Sequence, residues 1–334
     1  MAAGLLVIGV GLALSFYVAW CLGANDAANP TECAVGSGVL SLRRALVLFC
    51  VFVALGAILQ GFMVIKTIGK GVVEEVTVLG SLCVVLSACL WITFCTWRGL
   101  PVSTTHSIIG SVLGYGVVRG GLGGVNWAVF GGVGLSWIAS PLAAAALAYL
   151  LYSLLASSLP RLEHGELYTR ALLVFSLCFS AYAFGANDVG NATGVFLSIT
   201  SELESIPREL LMLGLALLGT AGIAVGAFTW GYRVIETVGH RITRLDPVMG
   251  GAAELSNAVS VYLFTTIPYM LFGWGMPIST TLASVGSIIG VGVSKDRDTV
   301  SSRIILKILG AWVFTVPCAA VLCGAIYTLL NGVL

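Results

Sequence analysis

Charge is what this sequence has least of. Only 9% of its 334 residues are Asp, Glu, Lys or Arg, against about 25% in ordinary soluble domains. Hydrophobic residues make up 58%, and the mean hydropathy is +1.02. A water-soluble domain is excluded, and a lipid bilayer is the implied solvent. Sixteen basic against fifteen acidic side chains leave a net charge of +1, so there is no basic face for a nucleic acid. The nine cysteines contain no C-x-x-C pair, and the three histidines form no ligand-spaced cluster with them. They read as small buried hydrophobes, and no cofactor is expected.

The apolar residues fall into ten blocks near 1–22, 44–65, 76–97, 101–118, 126–154, 170–199, 210–232, 247–272, 277–294 and 304–331. Most reach the roughly 20 residues a helix needs to cross hydrocarbon. The first block has no positive flank before it and is longer than a signal-peptide core, so it reads as a mature span. With ten crossings and the N-terminus outside, twelve of the sixteen Lys and Arg fall in inside loops. This bias predicts a multi-pass protein of the cell membrane with both termini outside. Loops are short throughout, which leaves no room for a soluble catalytic domain.

The chain repeats itself. GANDAANP at 23–30 returns as GANDVGNATG at 185–194, KTIGKG at 66–71 returns loosely as ETVGHR at 236–241, and PVSTTHS at 101–107 returns as PISTTLA at 277–283. Gly110, Gly114 and Gly116 match Gly286, Gly290 and Gly292 at the spacing of the last pair. Such self-similarity marks a duplication. Five blocks per half is an odd number, so the second copy enters from the opposite side. The expectation is an all-α polytopic membrane protein of two inverted repeats, 1–155 and 170–334, joined by a central loop at 156–169. Inverted repeats with interrupted helices place a site near the bilayer midplane between the halves, the architecture of secondary transporters.

The repeated motifs carry the chemistry. A Gly, an amide and a carboxylate inside an apolar block predict a broken helix, and an intramembrane carboxylate is costly enough to mark a site. Asp26 and Asp188 hold that place in the two copies. Asn25 and Asn29, like Asn187 and Asn191, lie one helical turn apart on one face. Ser103, Thr104 and Thr105, with Ser279, Thr280 and Thr281, follow a proline and precede an apolar run, which is a helix start whose N–H groups attract anions. Interhelical hydrogen bonding is the alternative role for these hydroxyls. Glu254 is a further carboxylate within a block, three residues before Asn257, suited to a cation or to a helix interface. His106 stands where the second copy has Leu282 and carries little by itself.

These motifs, GANDAAN with GANDVGN, PVSTTHS with PISTTLAS, and VIKTIGKG with VIETVGHRIT, resemble the inorganic phosphate transporter family of sodium- or proton-coupled symporters, over nearly the whole chain. The resemblance implies a homodimer with phosphate bound between the repeats at Asp26, Asn29, Ser103, Thr104, Thr105, Asp188, Asn191, Ser279, Thr280 and Thr281. Sodium ions are expected alongside, with Asn25, Asp26, Asn187, Asp188 and Glu254 as candidate ligands and a proton as the other coupling ion. Two residues depart from the family pattern: Pro30 stands where Ala is usual, and the second motif reads VGN where VAN is commoner. Sulfate or another tetrahedral oxyanion is the alternative substrate. An intramembrane aspartyl protease would also use two carboxylates, but it leaves the Ser-Thr-Thr copy beside each Asp unexplained, so the chain is not expected to be an enzyme.

Overall fold

The computed structural model of the protein describes residues 2–61, 72–73, 76–193, 208–272 and 278–332, and among these it contains α-helices and short 3-10 turns but no strand. The first half forms α1 (Ala2–Asp26), α2 (Ala28–Gly36), α3 (Leu42–Gln60), α4 (Val78–Trp97), α5 (Thr104–Gly120) and α6 (Trp127–Ser158). The second half forms α7 (Gly165–Thr193), α8 (Arg208–Arg241), α9 (Pro247–Phe272), α10 (Thr280–Lys295) and α11 (Ser302–Asn331). Each of the ten apolar blocks contributes a helix among the described residues, and α2 is the half-helix that follows the break expected at the first GAND motif. Of the segment 156–169 expected as a central loop, only 159–164 separate α6 from α7.

Seven of the described spans are long and apolar enough to cross a membrane, α1 with α2 counting as the single span Ile8–Gly36. With 17 and 16 residues, α5 and α10 extend roughly 24–26 Å at about 1.5 Å per residue, short of a hydrocarbon core of about 30 Å. The ten blocks are therefore not ten equal crossings. Instead α4 packs with α5, and α9 with α10, as two hairpins.

The helices pair across the halves in a reciprocal pattern. α1 lies along α8, and their counterparts α7 and α3 lie along each other; α5 lies along α11, and their counterparts α10 and α6 do the same. Glycine permits the closeness. A Cβ on Gly23 would stand 1.9 Å from the Ile223 carbonyl oxygen, and one on its copy Gly185 would stand 2.2 Å from that of Val53. Gly114 and its copy Gly290 meet Ala320 and Ala145 in the same way, at 2.0 and 2.2 Å. In lipid, helices are held by such close backbone packing rather than by a hydrophobic drive between them.

The expected helix break is present in the first copy, and in the second no break falls within Gly165–Thr193. In the first copy the interruption is Ala27 alone, between α1 and α2, still with right-handed helical torsions of φ −59° and ψ −20°. In the second copy, α7 runs unbroken through Gly185 to Thr193. The Asp and Asn side chains find their partners on neighbouring helices, so the backbone need not unwind to satisfy them. Pro30 is accommodated because it sits in the first turn of α2, where a missing N–H costs no intrahelical bond.

Candidate substrate and ion site

Asn25 and Asn187 each fasten the approach to a Ser-Thr-Thr helix. The Asn25 amide donates to Thr96 Oγ1 at 2.8 Å and to the Leu100 carbonyl at 3.0 Å, and its own oxygen accepts from the Val102 N–H at 3.0 Å. The Asn187 amide donates to the Ile278 carbonyl and to Asp188 Oδ2, both at 3.2 Å, while its oxygen accepts from Thr265. Their polar groups are thus occupied in holding the chain that leads into α5 and α10. In these bonds both side chains position the chain entering α5 and α10.

Downstream of those fastenings the two helix starts converge on Asp26. Thr104 Oγ1, at the start of α5, donates to Asp26 Oδ2 at 2.5 Å, and Thr281 Oγ1, in the first turn of α10, donates to Asp26 Oδ1 at 3.0 Å. Asn29 donates to Thr280 Oγ1 at 3.1 Å and to Thr281 Oγ1 at 3.2 Å. One carboxylate is therefore held by hydroxyls from both repeats. Asp188 stands within Coulombic reach of Asp26, so the two matched carboxylates lie near each other. All of these side chains are buried.

The serines have a separate task. Ser103 Oγ accepts from the His106 N–H and Ser279 Oγ from the Leu282 N–H, each at 3.2 Å. They are N-caps, each satisfying one orphan donor and leaving the other first-turn N–H groups of α5 and α10 to favour negative charge. Thr105 is buried beside them. The side chain of Asn191 lies outside the described residues, as do KTIGKG at 66–71 and Pro277. His106 is buried and stacks on Trp137 with ring centroids 3.7 Å apart.

Glu254 is fully buried on α9, beside Ser180, Cys33 and Asn257. Sequence reading missed an acidic neighbour, Glu32, which is 0% exposed on α2 and within Coulombic reach of Glu254. The available signal was spacing: Asp26, Asn29 and Glu32 recur every third residue, which places them along one helical face. Two ion pairs, Arg170–Glu166 and Lys295–Asp246, lie at exposed helix ends. The donors that meet Asp26 and Glu32 are hydroxyls and amides.

Two buried carboxylates beside two helix N-termini, with amides and hydroxyls between, can receive an anion only together with cations. Against known proteins, a profile of the phosphate transporter family matches the chain twice, over residues 22–164 and 156–323. A Pyrococcus horikoshii protein named "Putative phosphate permease" is 32% identical, with 96% of this chain and 96% of that protein covered. The Arabidopsis thaliana protein named "Inorganic phosphate transporter 2-1, chloroplastic" is 29% identical over 95% of this chain and 71% of its own length. A solved structure titled "The sodium-dependent phosphate transporter" superposes with a TM-score of 0.84 at 28% identity, covering 98% of this chain and all of that one.

Proposed function

The chain belongs to the phosphate transporter family, and on that premise we propose that it is a secondary transporter carrying inorganic phosphate across the membrane, driven by a sodium gradient through alternating access of its inverted repeats. The observation that carries this reading is the bonding of Asp26 and Asn29, from one copy of the motif, to Thr280 and Thr281, from the other copy of its partner motif. A site assembled from both repeats changes its access when one repeat rocks against the other. The substrate-binding set is Asp26, Asn29, Thr104, Thr105, Thr280 and Thr281 with Asp188 and Asn191, and Ser103 and Ser279 shape the helix starts.

Sodium fits because hard oxygen donors from Asp and Thr surround the volume and because a cation offsets the charge of an anion placed between two carboxylates. The superposable structure titled as sodium-dependent supports the same ion. The protein acts as a homodimer in the cell membrane and performs transport, with no covalent chemistry. Uptake of labelled phosphate into proteoliposomes tests the reading. An inward sodium gradient is expected to drive accumulation that excess sulfate does not suppress, and equal accumulation on a proton gradient in sodium-free buffer would refute sodium coupling.

A further inference from the structure

Two arginines meet where the end of α4 packs on α8. The Arg233 guanidinium donates to the Trp97 carbonyl at 3.2 Å, and a Cβ on Gly99 would stand 3.1 Å from the Arg233 carbonyl oxygen. Arg98 lies between those two contacts in the chain, so both arginines belong to one seam. Each guanidinium is folded back over aromatic rings of its own segment. That of Arg98 lies 4.9 Å from the Trp97 ring centroid and 5.3 Å from that of Phe94, and that of Arg233 lies 5.0 Å from Trp230 and 5.5 Å from Tyr232. Phe94, Trp97, Arg98 and Tyr232 are exposed, so the seam is open to its surroundings.

No acid answers these charges. Among the described residues neither guanidinium takes part in an ion pair, although Glu236 lies one turn along α8, and Arg233 Nε is buried without an acceptor. Depth says what surrounds the pair. With 34 residues, α8 extends about 51 Å at about 1.5 Å per residue, roughly 21 Å more than a hydrocarbon core of about 30 Å. Centred, it overhangs by about 10 Å at each end, and Arg233 stands about 12 Å before its last residue, Arg241. That is the edge of the hydrocarbon, where Trp and Tyr gather and long basic side chains reach for headgroups. The anionic acceptor available at that depth is a phospholipid phosphodiester, whose oxygens match the fork of a guanidinium. We propose that Arg98 and Arg233 form a binding site for the headgroup of an anionic phospholipid, in the leaflet that the Lys and Arg bias predicts as cytoplasmic. Two unanswered positive charges at one headgroup favour an anionic lipid over a zwitterionic one. The site also borders the substrate helices, because the segment from Trp97 to Val102 is fastened by Arg233 at one end and by Asn25 at the other and leads into the start of α5.

The test uses the full-length protein in phosphatidylcholine bilayers and brominated lipids, which quench tryptophan fluorescence on contact, since Trp97 and Trp230 lie beside the two guanidiniums. Brominated phosphatidylglycerol is expected to quench part of the wild-type emission with roughly tenfold higher relative affinity than brominated phosphatidylcholine. Arg233→Gln and Arg98→Gln are each expected to lower that preference severalfold, and the double variant to abolish it. Arg98→Gln removes no side-chain hydrogen bond to a described residue, so it stays informative if Arg233→Gln disturbs folding. Arg119→Gln, at the far end of α5, is the control and is expected to keep the preference. Quenching curves that coincide for wild type and Arg98→Gln, as when a second copy of the chain covers this face, would overturn the lipid site. So would loss of the preference on adding excess inorganic phosphate at constant ionic strength, which would make the occupant a free anion.

Discussion

Asp26 and Asp188 occupy matched places in the two copies. Asp26 accepts hydroxyl bonds from both repeats, and Asp188 accepts from Asn187. An ionised carboxylate is acceptor-only, so an anion beside it must bring its own proton or be screened by a cation. Phosphate near neutral pH carries one or two P–OH groups, and sulfate carries none. A hydrogen bond to a charged group contributes roughly 1.5–3 kcal/mol, and roughly 1.4 kcal/mol is tenfold, so one such contact selects phosphate by about ten- to a hundredfold. Asp188→Asn replaces an obligate acceptor with a donor. It is expected to abolish most phosphate uptake and to narrow the gap to sulfate in competition assays; an unchanged preference in the residual uptake would mean that the carboxylate serves only sodium. The residues of this volume were legible because duplication singled them out. The separate duties of the Asn and Ser residues were not, since a motif does not say which hydrogen bonds its neighbours will take. Glu32 escaped notice because it has no copy in the second half and fell between two apolar blocks.

At the scale of helices, what positions the site is the close reciprocal pairing of the halves. The start of α10 is fixed against Asp26 only while α10 stays seated on α6, and Gly290 sets that separation. A Cβ there would meet the Ala145 backbone at 2.2 Å, and backbone has no side-chain freedom with which to yield. Gly290→Ala is therefore expected to cost about 1–3 kcal/mol or more by overpacking, seen as a lower melting temperature in detergent and reduced phosphate uptake. Gly131→Ala, on α6 where nothing lies within 4 Å of the new Cβ, is the matched control. It is expected to leave both readouts unchanged. Equal tolerance of the two substitutions would show that this helix pair has slack. Helix number and placement were readable in advance because apolar runs are the dominant local signal in lipid. Helix ends were less so: α8 continues to Arg241 and α6 to Ser158, where polar residues extend a helix beyond the hydrocarbon and hydropathy has nothing to report. The matching spacing of Gly110, Gly114 and Gly116 with Gly286, Gly290 and Gly292 foretold equivalent helix faces, but which helix each would meet depends on the chain crossing between halves.

Across the whole molecule, parity and charge together predict an orientation in the membrane. If the α4–α5 and α9–α10 hairpins each enter and leave on one side, every half keeps three crossings: α1–α2, α3 and α6 in the first, and α7, α8 and α11 in the second. Three is odd, so the halves remain inverted, and six is even, so both termini remain on one side. The excess of Lys and Arg in the opposite loops predicts that this side is outside. At 32 residues, α6 extends about 48 Å at about 1.5 Å per residue and must present its two ends to opposite faces of the membrane. Leu122 just before it and Glu163 just after it are both exposed, which makes them matched reporters. In a background with the half-buried Cys50, Cys178 and Cys318 replaced by Ala, Leu122→Cys is expected to react with a membrane-impermeant maleimide on intact cells. Glu163→Cys is expected to react only after permeabilisation, because it lies in the same loop as Arg161 on the cytoplasmic side. The reverse pattern would invert the orientation, and with it the side from which the Asp26 volume is first reached. Labelling of both positions on intact cells would break the requirement that α6 spans, and the inverted-repeat basis for alternating access would fail with it.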